Sequence, residues 1–195
     1  YRQGIFPWYS TGSPILWWSP APRCVLYPQD VYVSRRTRRR YNSGRYRLSI
    51  DQAFAEVIRA CALPRQGEDG TWITPDMEQA YIDLHGLGHA HSLEVWTNGE
   101  LAGGIYGLAL GAVFFGESMF SARTDGSKIA LIALCKLLVR AGFRLMDCQV
   151  SNPHLRRMGA VEISRNKFED ELSESVALPE RFAALAREQR FDHRW

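Results

Sequence analysis

The stretch HSLEVWTNGELAGGIYGLALGAVFFGESMFS, residues 91–121, holds three apolar runs that are separated by two turn signals. Asn98 and Gly99 form a dipeptide that strongly predicts a tight hairpin, and Gly111 turns the chain a second time. Runs of this length that are bounded by turn residues favour strands. The stretch therefore predicts an antiparallel meander of three strands.

The segments after the meander predict a parallel crossover. Residues 125–143, DGSKIALIALCKLLVRAGF, have a broad apolar face and end near Gly142, which is typical of a helix. Residues 144–150, RLMDCQV, favour a strand, and a strand–helix–strand connection is right-handed and parallel. This order resembles the acetyltransferase-type (GNAT-type) fold. We therefore expect an α+β protein with an acetyltransferase-like mixed sheet flanked by helices.

The remaining segments predict smaller elements around this sheet. Asp51 is expected to cap a helix over 51–62. Thr74 is expected to cap a helix over 74–88, with Pro75 as its first helical residue. The other predictions are an ordered loop over 1–23, short strands within 24–34, a short helix that ends before Gly44, a strand at 46–50, a loop at 63–70, a helix near 153–158, a strand near 160–167 and a helix near 179–190.

The density of Pro, Gly and aromatic residues changes after residue 23. We interpret residues 1–23 as the remainder of a small N-terminal lobe whose upstream part is missing. Residues 24–195 are then the acetyltransferase-like catalytic domain. The chain has 195 residues and 46% apolar content, which suits one domain with a small additional lobe.

Composition argues against a membrane protein and a metal protein. No window of 18 residues is apolar without a break, so no membrane partner is predicted. The four cysteines are far apart and form no CxxC, which predicts reduced core residues in a cytoplasmic protein. His85, His89 and His91 have no neighbouring carboxylate that would complete a zinc motif, so no metal is predicted.

The stretch RRTRRRYNSGRYR, residues 35–47, has seven arginines and no acidic residue. The net charge of the chain is only +3, so the rest of the chain is acidic on balance. A concentrated arginine patch favours a polyanionic partner such as nucleic acid or phosphate. The alternative is a solvated helix face, although like charges three and four positions apart repel each other.

Glu117 is a carboxylate inside the apolar run AVFFGESMFS, residues 112–121. Burying an unpaired carboxylate costs several kcal/mol, so this position needs a reason. One hypothesis is that Glu117 binds a cationic ligand in an apolar cleft. The alternative is a structural carboxylate that accepts backbone N–H groups of the next loop.

Asp147 and Gln149 lie two positions apart on the predicted strand of LMDCQVSNPH, residues 145–154. Alternating strand geometry would put both on one face and Cys148 on the other. Asp147 could then accept the side-chain amide of Gln149 and fix the Gln149 carbonyl oxygen as an acceptor for an amine. The alternative is a polar strand end that caps a turn.

Several blocks together resemble the bacterial leucyl/phenylalanyl-tRNA–protein transferase family. The blocks are GIFPWYS, PILWWSPAPR, GTWIT, LHGLGHAHSLEVW, GGIYGLALG, FFGESMFS and LMDCQVSNPHLRRMGAVEI. They run in order from Tyr1 to about Phe168, and the last 25 or so residues carry little of the resemblance.

The resemblance implies a specific reaction. Such an enzyme moves Leu, and less often Phe or Met, from a charged tRNA to the α-amine of a protein that begins with Arg or Lys. The new N-terminus marks that protein for degradation by the N-end rule pathway. An aminoacyl ester is already activated, so no cofactor is expected and the enzyme has to align the reactants.

The resemblance also implies roles for individual residues. Asp147 and Gln149 would be catalytic, and Glu117 and Asn152 would bind the acceptor peptide. The arginine stretch would contact tRNA phosphates through Arg35, Arg36, Arg38, Arg39 and Arg40. The aminoacyl group and terminal adenosine would be held by Trp8, Trp72, Ile105, Phe114, Gly116, Leu131, Leu138 and Met146.

Two other functions fit parts of the sequence. The segment RTDGSK, residues 123–128, resembles half of a phosphate-binding loop and supports a CoA-dependent N-acetyltransferase. The arginines and tryptophans would also suit an RNA-binding module without catalysis. A serine or cysteine nucleophile has little support, since the chain has no G-x-S-x-G motif.

Overall fold

The computed structural model describes residues 1–10, 12–64 and 72–191. Strands and helices are numbered in chain order. The strands are β1 (Phe6–Pro7), β2 (Trp17–Trp18), β3 (Arg23–Leu26), β4 (Arg47–Ile50), β5 (Ala90–Thr97), β6 (Glu100–Leu110), β7 (Val113–Ser121), β8 (Leu145–Gln149) and β9 (Val161–Ile163). The α-helices are α1 (Arg35–Tyr41), α2 (Phe54–Ala62), α3 (Pro75–Gly86), α4 (Gly126–Ala141), α5 (Pro153–Arg157), α6 (Arg165–Val176) and α7 (Phe182–Glu188).

The central sheet has seven strands in the order β4-β5-β6-β7-β8-β3-β9. Strands β5, β6 and β7 form the predicted antiparallel meander. Helix α4 connects β7 to the parallel strand β8, as the sequence predicts. The α+β class and the mixed sheet are therefore confirmed, whereas the acetyltransferase-type assignment stays a prediction.

Apolar side chains cover both faces of the sheet. One face packs against α4, with Tyr41 of α1 and Phe182 of α7 in the same cluster. The other face packs against α2, α3 and α6. Burial on both faces explains the nearly continuous apolar runs of β6 and β7.

The start of α4 lies unusually close to β6. A Cβ atom on Gly126 would lie 2.1 Å from the carbonyl oxygen of Ala102, and a Cβ on Gly103 would lie 2.5 Å from the carbonyl carbon of Gly126. Two glycines therefore allow the backbone of the helix to touch the backbone of the strand. At its other end α4 stops at Gly142, which has a positive φ of 76°, as predicted.

The helix capping predictions have mixed outcomes. Thr74 caps α3 and accepts the N–H of Met77 at 3.2 Å, with Pro75 as the first helical residue. Asp51 does not cap α2, and the prediction is wrong. Its carboxylate instead accepts the backbone N–H of Ser92 on β5 at 2.8 Å, and α2 begins only at Phe54.

The two ends of the chain also differ from the prediction. Residues within 1–23 contain a two-residue antiparallel ladder between β1 and β2 rather than only a loop. The strand predicted near 160–167 ends at Ile163, and helix α6 follows from Arg165. Phe168 and Leu172 are four positions apart and face the core, which is the helical spacing that the sequence interpretation missed.

Other predictions agree with the structure or lie outside it. The strand at 46–50, the short arginine helix and the helices near 153–158 and 179–190 are observed as β4, α1, α5 and α7. Within 24–34, only β3 is a strand, and a 3-10 helix follows at Pro28–Asp30. Most of the loop predicted at 63–70 lies outside the described residues. The domain division at residue 23 stays a prediction.

Candidate active site

A cleft of about 880 Å³ opens where β7 and β8 separate. The two parallel strands pair only from Val113 to Phe115 on β7 and from Leu145 to Asp147 on β8. Beyond that point β7 continues to Ser121, while β8 ends at Gln149. Diverging strands leave a gap that neither backbone fills, and side chains from the N-terminal segment, α2 and α4 wall it in.

Nine of the predicted site residues line this cleft. They are Trp8, Trp72, Ile105, Gly116, Glu117, Leu131, Met146, Gln149 and Asn152. Ile105, Leu131 and Met146 are buried and form an apolar wall. Phe114, Leu138 and Asp147 are fully buried beneath it, and Phe114 packs against Phe182 with ring centroids 5.5 Å apart. The predicted roles of these residues remain proposals.

Glu117 lies at the floor of the cleft and is held by two side chains. The Tyr81 hydroxyl donates to Oε2 of Glu117 at 2.8 Å, and Nε2 of Gln149 lies 3.4 Å from Oε1. Tyr81 also shares a short hydroxyl–hydroxyl bond with Tyr1. The partners are therefore side chains from α3 and β8, and within the described ranges no backbone N–H of the following loop bonds to Glu117.

Burial raises the pKa of Glu117 to about 7, although the nearby hydroxyl groups of Tyr81 and Tyr1 oppose the shift. No Lys or Arg among the described residues forms an ion pair with this carboxylate. Burial and the nearby Glu117 charge raise the pKa of Tyr81 well above its usual value, so its hydroxyl stays a donor. The cleft floor thus carries a carboxylate that would be stabilised by an incoming cation.

Asp147 has a strong partner that sequence interpretation missed. Arg23 donates Nε to Oδ1 at 2.8 Å and Nη2 to Oδ2 at 2.7 Å, and both side chains are almost fully buried. Arg23 lies 124 positions away in sequence, on β3. A lone arginine directly before the apolar run CVL was the signal that could have suggested a buried ion pair.

The predicted side-chain bond between Asp147 and Gln149 is wrong. Asp147 Oδ1 accepts the backbone N–H of Gln149 at 2.9 Å, and the Gln149 side chain reaches Glu117 instead. The cause is a β-bulge, because Cys24 pairs with Gln149 and Val25 pairs with Asp147, which leaves Cys148 without an opposite residue. Gln149 also has a positive φ of 57°, so the simple strand alternation fails here.

Aromatic side chains lie at the mouth of the cleft. Trp8 is 47% exposed, and its ring centroid is 6.0 Å from that of Trp18. The indole N–H of Trp18 donates to the carbonyl oxygen of Trp8 at 2.7 Å. The exposed Trp8 ring is thus fixed in place by its neighbour, while Trp72 lies half-buried on the same cleft.

A second cavity of about 920 Å³ lies beside helix α1. Arg36, Arg39 and Arg40 line it, together with Arg45 and Arg123. Arg35 and Arg38 are exposed on the same helix but do not line this cavity. Residues 121–122 line the first cleft and residues 123–124 line the second cavity, so the two lie next to each other along the chain.

Acidic residues offset part of this basic charge. Asp125 pairs with Arg40 at 2.6 Å and with Lys128 at 2.9 Å. Burial opposes ionisation of Asp125, but the two cations outweigh it and lower the pKa of this carboxyl. Glu100 pairs with Arg123 at 2.8 Å. Arg36 and Arg39 have no such ion pair within the described part of the chain.

The histidines and cysteines have structural contacts. His91 Nδ1 bonds to Asp51 at 2.7 Å, and His85 Nδ1 bonds to the carbonyl oxygen of Ala90 at 2.8 Å. All four cysteines are buried thiols outside any disulfide. Over residues 1–10, 12–64 and 72–191, no group of three or more His, Cys, Asp or Glu could hold a metal ion. No helix in those ranges is long and apolar enough to span a membrane.

Comparison with known proteins identifies the class. The family profile described as leucyl/phenylalanyl-tRNA protein transferase matches residues 25–173, and that of the N-terminal domain of the same transferase matches residues 1–21. These matches define the chain as an aminoacyltransferase. It belongs to the leucyl/phenylalanyl-tRNA protein transferase family.

Individual relatives agree with the family match. A leucyl/phenylalanyl-tRNA–protein transferase of Alkalilimnicola ehrlichii is 56% identical over 182 residues, which cover 93% of this chain and 70% of the relative. One from Solidesulfovibrio magneticus is 56% identical over 169 residues, covering 86% and 68%. Among solved structures, L-PGS from Bacillus licheniformis gives a TM-score of 0.46 at 15% identity, covering 67% of this chain and 46% of that one.

Proposed function

We propose that this enzyme transfers Leu, and also Phe or Met, from charged tRNA to proteins that begin with Arg or Lys. The acceptor is the α-amine of that first residue, and the new bond is a peptide bond. The modified proteins would be directed to N-end rule degradation in the cytoplasm. No cofactor takes part, because the aminoacyl ester already carries the activation.

The single observation that carries the acceptor specificity is the environment of Glu117. It is a carboxylate in a mostly apolar cleft, and no cationic side chain of the described residues pairs with it. An N-terminal Arg or Lys would bring the missing cation. A charge-assisted hydrogen bond in such a site contributes roughly 1.5–3 kcal/mol.

Gln149 suits the role of positioning the attacking amine. Because its amide N–H group is directed at Glu117, its carbonyl oxygen is directed away from that carboxylate and can accept from an amine. A neutral amide is a weak base, so alignment rather than proton removal is its contribution. The amine attacks the ester carbonyl carbon, the bond from that carbon to the ribose oxygen breaks, and the leaving oxygen takes the proton that the nitrogen loses.

The donor side chain would occupy the apolar wall formed by Ile105, Leu131 and Met146. Gly116 faces this wall, since a Cβ there would lie 2.5 Å from the Cε of Met146. A shaped apolar wall disfavours β-branched donors such as Ile or Val, although hydrophobic size alone changes selectivity only about 10–200-fold. Phe114 and Leu138 would support this wall from the core.

The terminal adenosine would stack on the exposed Trp8 and on Trp72 at the mouth of the cleft. The acceptor stem would lie along the basic cavity beside α1, through Arg36, Arg39 and Arg40, with Arg35 and Arg38 as outer contacts. Phosphate contacts of this kind are independent of base sequence, which suits an enzyme that accepts several tRNAs. Asn152, also on the cleft, would contact the acceptor peptide.

One assay tests the proposal. The protein is mixed with Leu-charged tRNA and a peptide that begins with Arg, and mass spectrometry detects the Leu-extended peptide. Pretreatment with RNase should abolish the product, and a matched peptide that begins with Glu should give none. Acetyl transfer from acetyl-CoA that survives RNase would support the acetyltransferase instead, and tRNA binding without any product would support a binding module.

A further inference from the structure

We propose that Arg23 is a positioning residue, which holds Asp147 in place and through it fixes the backbone of Gln149 for catalysis. The proposal rests on the function proposed above. Arg23 does not touch the substrates in this account. It acts through Asp147. Arg23 on β3 contacts Asp147, and Asp147 contacts Gln149 at the floor of the cleft.

The first step is a buried two-point contact. The guanidinium of Arg23 donates Nε to Oδ1 and Nη2 to Oδ2 of Asp147, at 2.8 and 2.7 Å. The side chains are 1% and 0% exposed. Two parallel hydrogen bonds fix the orientation of the carboxylate as well as its position.

The second step links the carboxylate to Gln149. Oδ1 of Asp147 also accepts the backbone N–H of Gln149 at 2.9 Å. This residue lies at the bulge of β8 and has a φ of 57°, which is unfavourable for a residue other than glycine. The hydrogen bond from its backbone N–H to the fixed Asp147 carboxylate therefore stabilises Gln149 in this conformation.

The environment of Arg23 makes its burial costly. Its guanidinium lies over the ring of Phe6 at 5.0 Å and over that of Phe168 at 4.4 Å. Among the described residues, its Nη1 has no hydrogen-bond partner. Replacing a buried ion pair with apolar residues is often neutral or stabilising, so stability alone is a weak reason for this pair. A requirement for one fixed geometry at Gln149 is the stronger reason.

The arrangement also limits what Asp147 can do. Both of its oxygens already accept N–H donors, and the carboxylate is fully buried beneath the cleft. It therefore serves as an anchor between Arg23 and Gln149 rather than as the group that receives the amine proton.

A double-mutant cycle tests the link between the two residues. We expect R23Q to lower kcat for Leu transfer about 100-fold per folded molecule, which is the loss that a misplacement of about 1 Å can cause. The KM values for Leu-tRNA and for an Arg-peptide should change less than about twofold. R23K retains the charge with fewer directed donors and should lie between the wild type and R23Q.

The combined variant R23Q/D147N should have a kcat no lower than that of the worse single variant, because both changes break the same line of contacts. Losses that multiply would overturn the proposal, as would a kcat that stays unchanged in R23Q. The matched control is R144K, which should leave kcat unchanged. Arg144 is exposed, and its Nη1 lies 3.6 Å from Oε2 of Glu174. If R23Q does not fold, R23K and R23K/D147N complete the same cycle.

A second measurement does not depend on activity. Hydrogen exchange of the Gln149 amide, followed by NMR on protein labelled with ¹⁵N-glutamine, should become at least tenfold faster in R23Q. Unchanged exchange would show that Arg23 does not fix Gln149. If the wild type transfers no Leu but exchange responds to R23Q, the proposed function fails while the positioning role stands.

Discussion

Nε2 of Gln149 lies 3.4 Å from Oε1 of Glu117, on two strands that no longer pair with each other at this depth. The contact crosses the gap between β7 and β8 and places a carboxylate beside a carbonyl acceptor. A cationic side chain and an amine on the same residue would fit these two groups together. That combination is the N-terminal Arg or Lys of the proposed acceptor.

Replacing Glu117 with Gln should weaken the binding of Arg-peptides. We expect KM for an Arg-peptide to rise about 10–100-fold, because a charge-assisted bond becomes a neutral one. KM for Leu-tRNA should stay within about twofold. Steady-state kinetics with both substrates measure the change. The control is E174Q, because the Glu174 side chain is 71% exposed. An Arg-peptide KM that stays within about twofold in E117Q would remove the counter-ion role.

The stability of the protein should depend on the titration of Glu117. The folded-state pKa of about 7 lies above the ordinary value of 4.5, so the folded state binds this proton more tightly than the unfolded state. The free energy of unfolding of the wild type, relative to E117Q, should therefore be highest below pH 4.5. It should fall by on the order of 3 kcal/mol as pH rises from about 4.5 through 7, and level off by about pH 8.

Urea unfolding of both proteins from pH 4 to 8 measures this difference. A difference that does not change over this range would show that the Glu117 pKa is ordinary. Addition of a saturating Arg-peptide at pH 7 should cause release of protons, because the cation favours the ionised carboxylate. Calorimetry in two buffers of different ionisation enthalpy detects that release.

Replacing Gly116 with Ala should narrow the space for the donor side chain. The new methyl group would lie 2.5 Å from the Cε of Met146, so the Met146 side chain would have to move into the space proposed for the donor side chain. We expect the kcat/KM ratio of Leu to Phe to rise about tenfold, since the larger side chain loses more. G86A is the control, because that position on α3 has open space around it. A fall in the ratio would contradict this account of the wall.

Removing two arginines from the basic cavity should reduce the salt dependence of tRNA binding. The variant R36Q/R39Q should reduce the magnitude of the slope of log K against log salt concentration by about 1.4–1.8, because each phosphate contact contributes about 0.7–0.9. R35Q/R38Q removes the same charge from the same helix outside the cavity and should change the slope less. Filter binding at four salt concentrations compares the two pairs. Equal slopes for both would show that the cavity is not the phosphate site.

Much of the cleft was predictable because its residues lie in short, ordered blocks. Trp8, Ile105 and Gln149 line one cleft, as the resemblance implies. The prediction went wrong where a local rule was replaced by a contact from another element. Asp51 binds β5 rather than capping α2, and Asp147 binds the backbone of Gln149 rather than its side chain.

The sequence by itself determined the meander, the crossover through α4 and the family, because periodicity, turn residues and short sequence blocks are local properties of the chain. Only the tertiary structure decided what Asp147 and Glu117 contact. Arg23 and Asp147 are 124 positions apart, and Tyr81 and Glu117 are 36 apart. The first pair follows from the position of β3 beside β8 in the sheet, and the second from the packing of α3 against one face of that sheet. No spacing within a single strand can predict either contact.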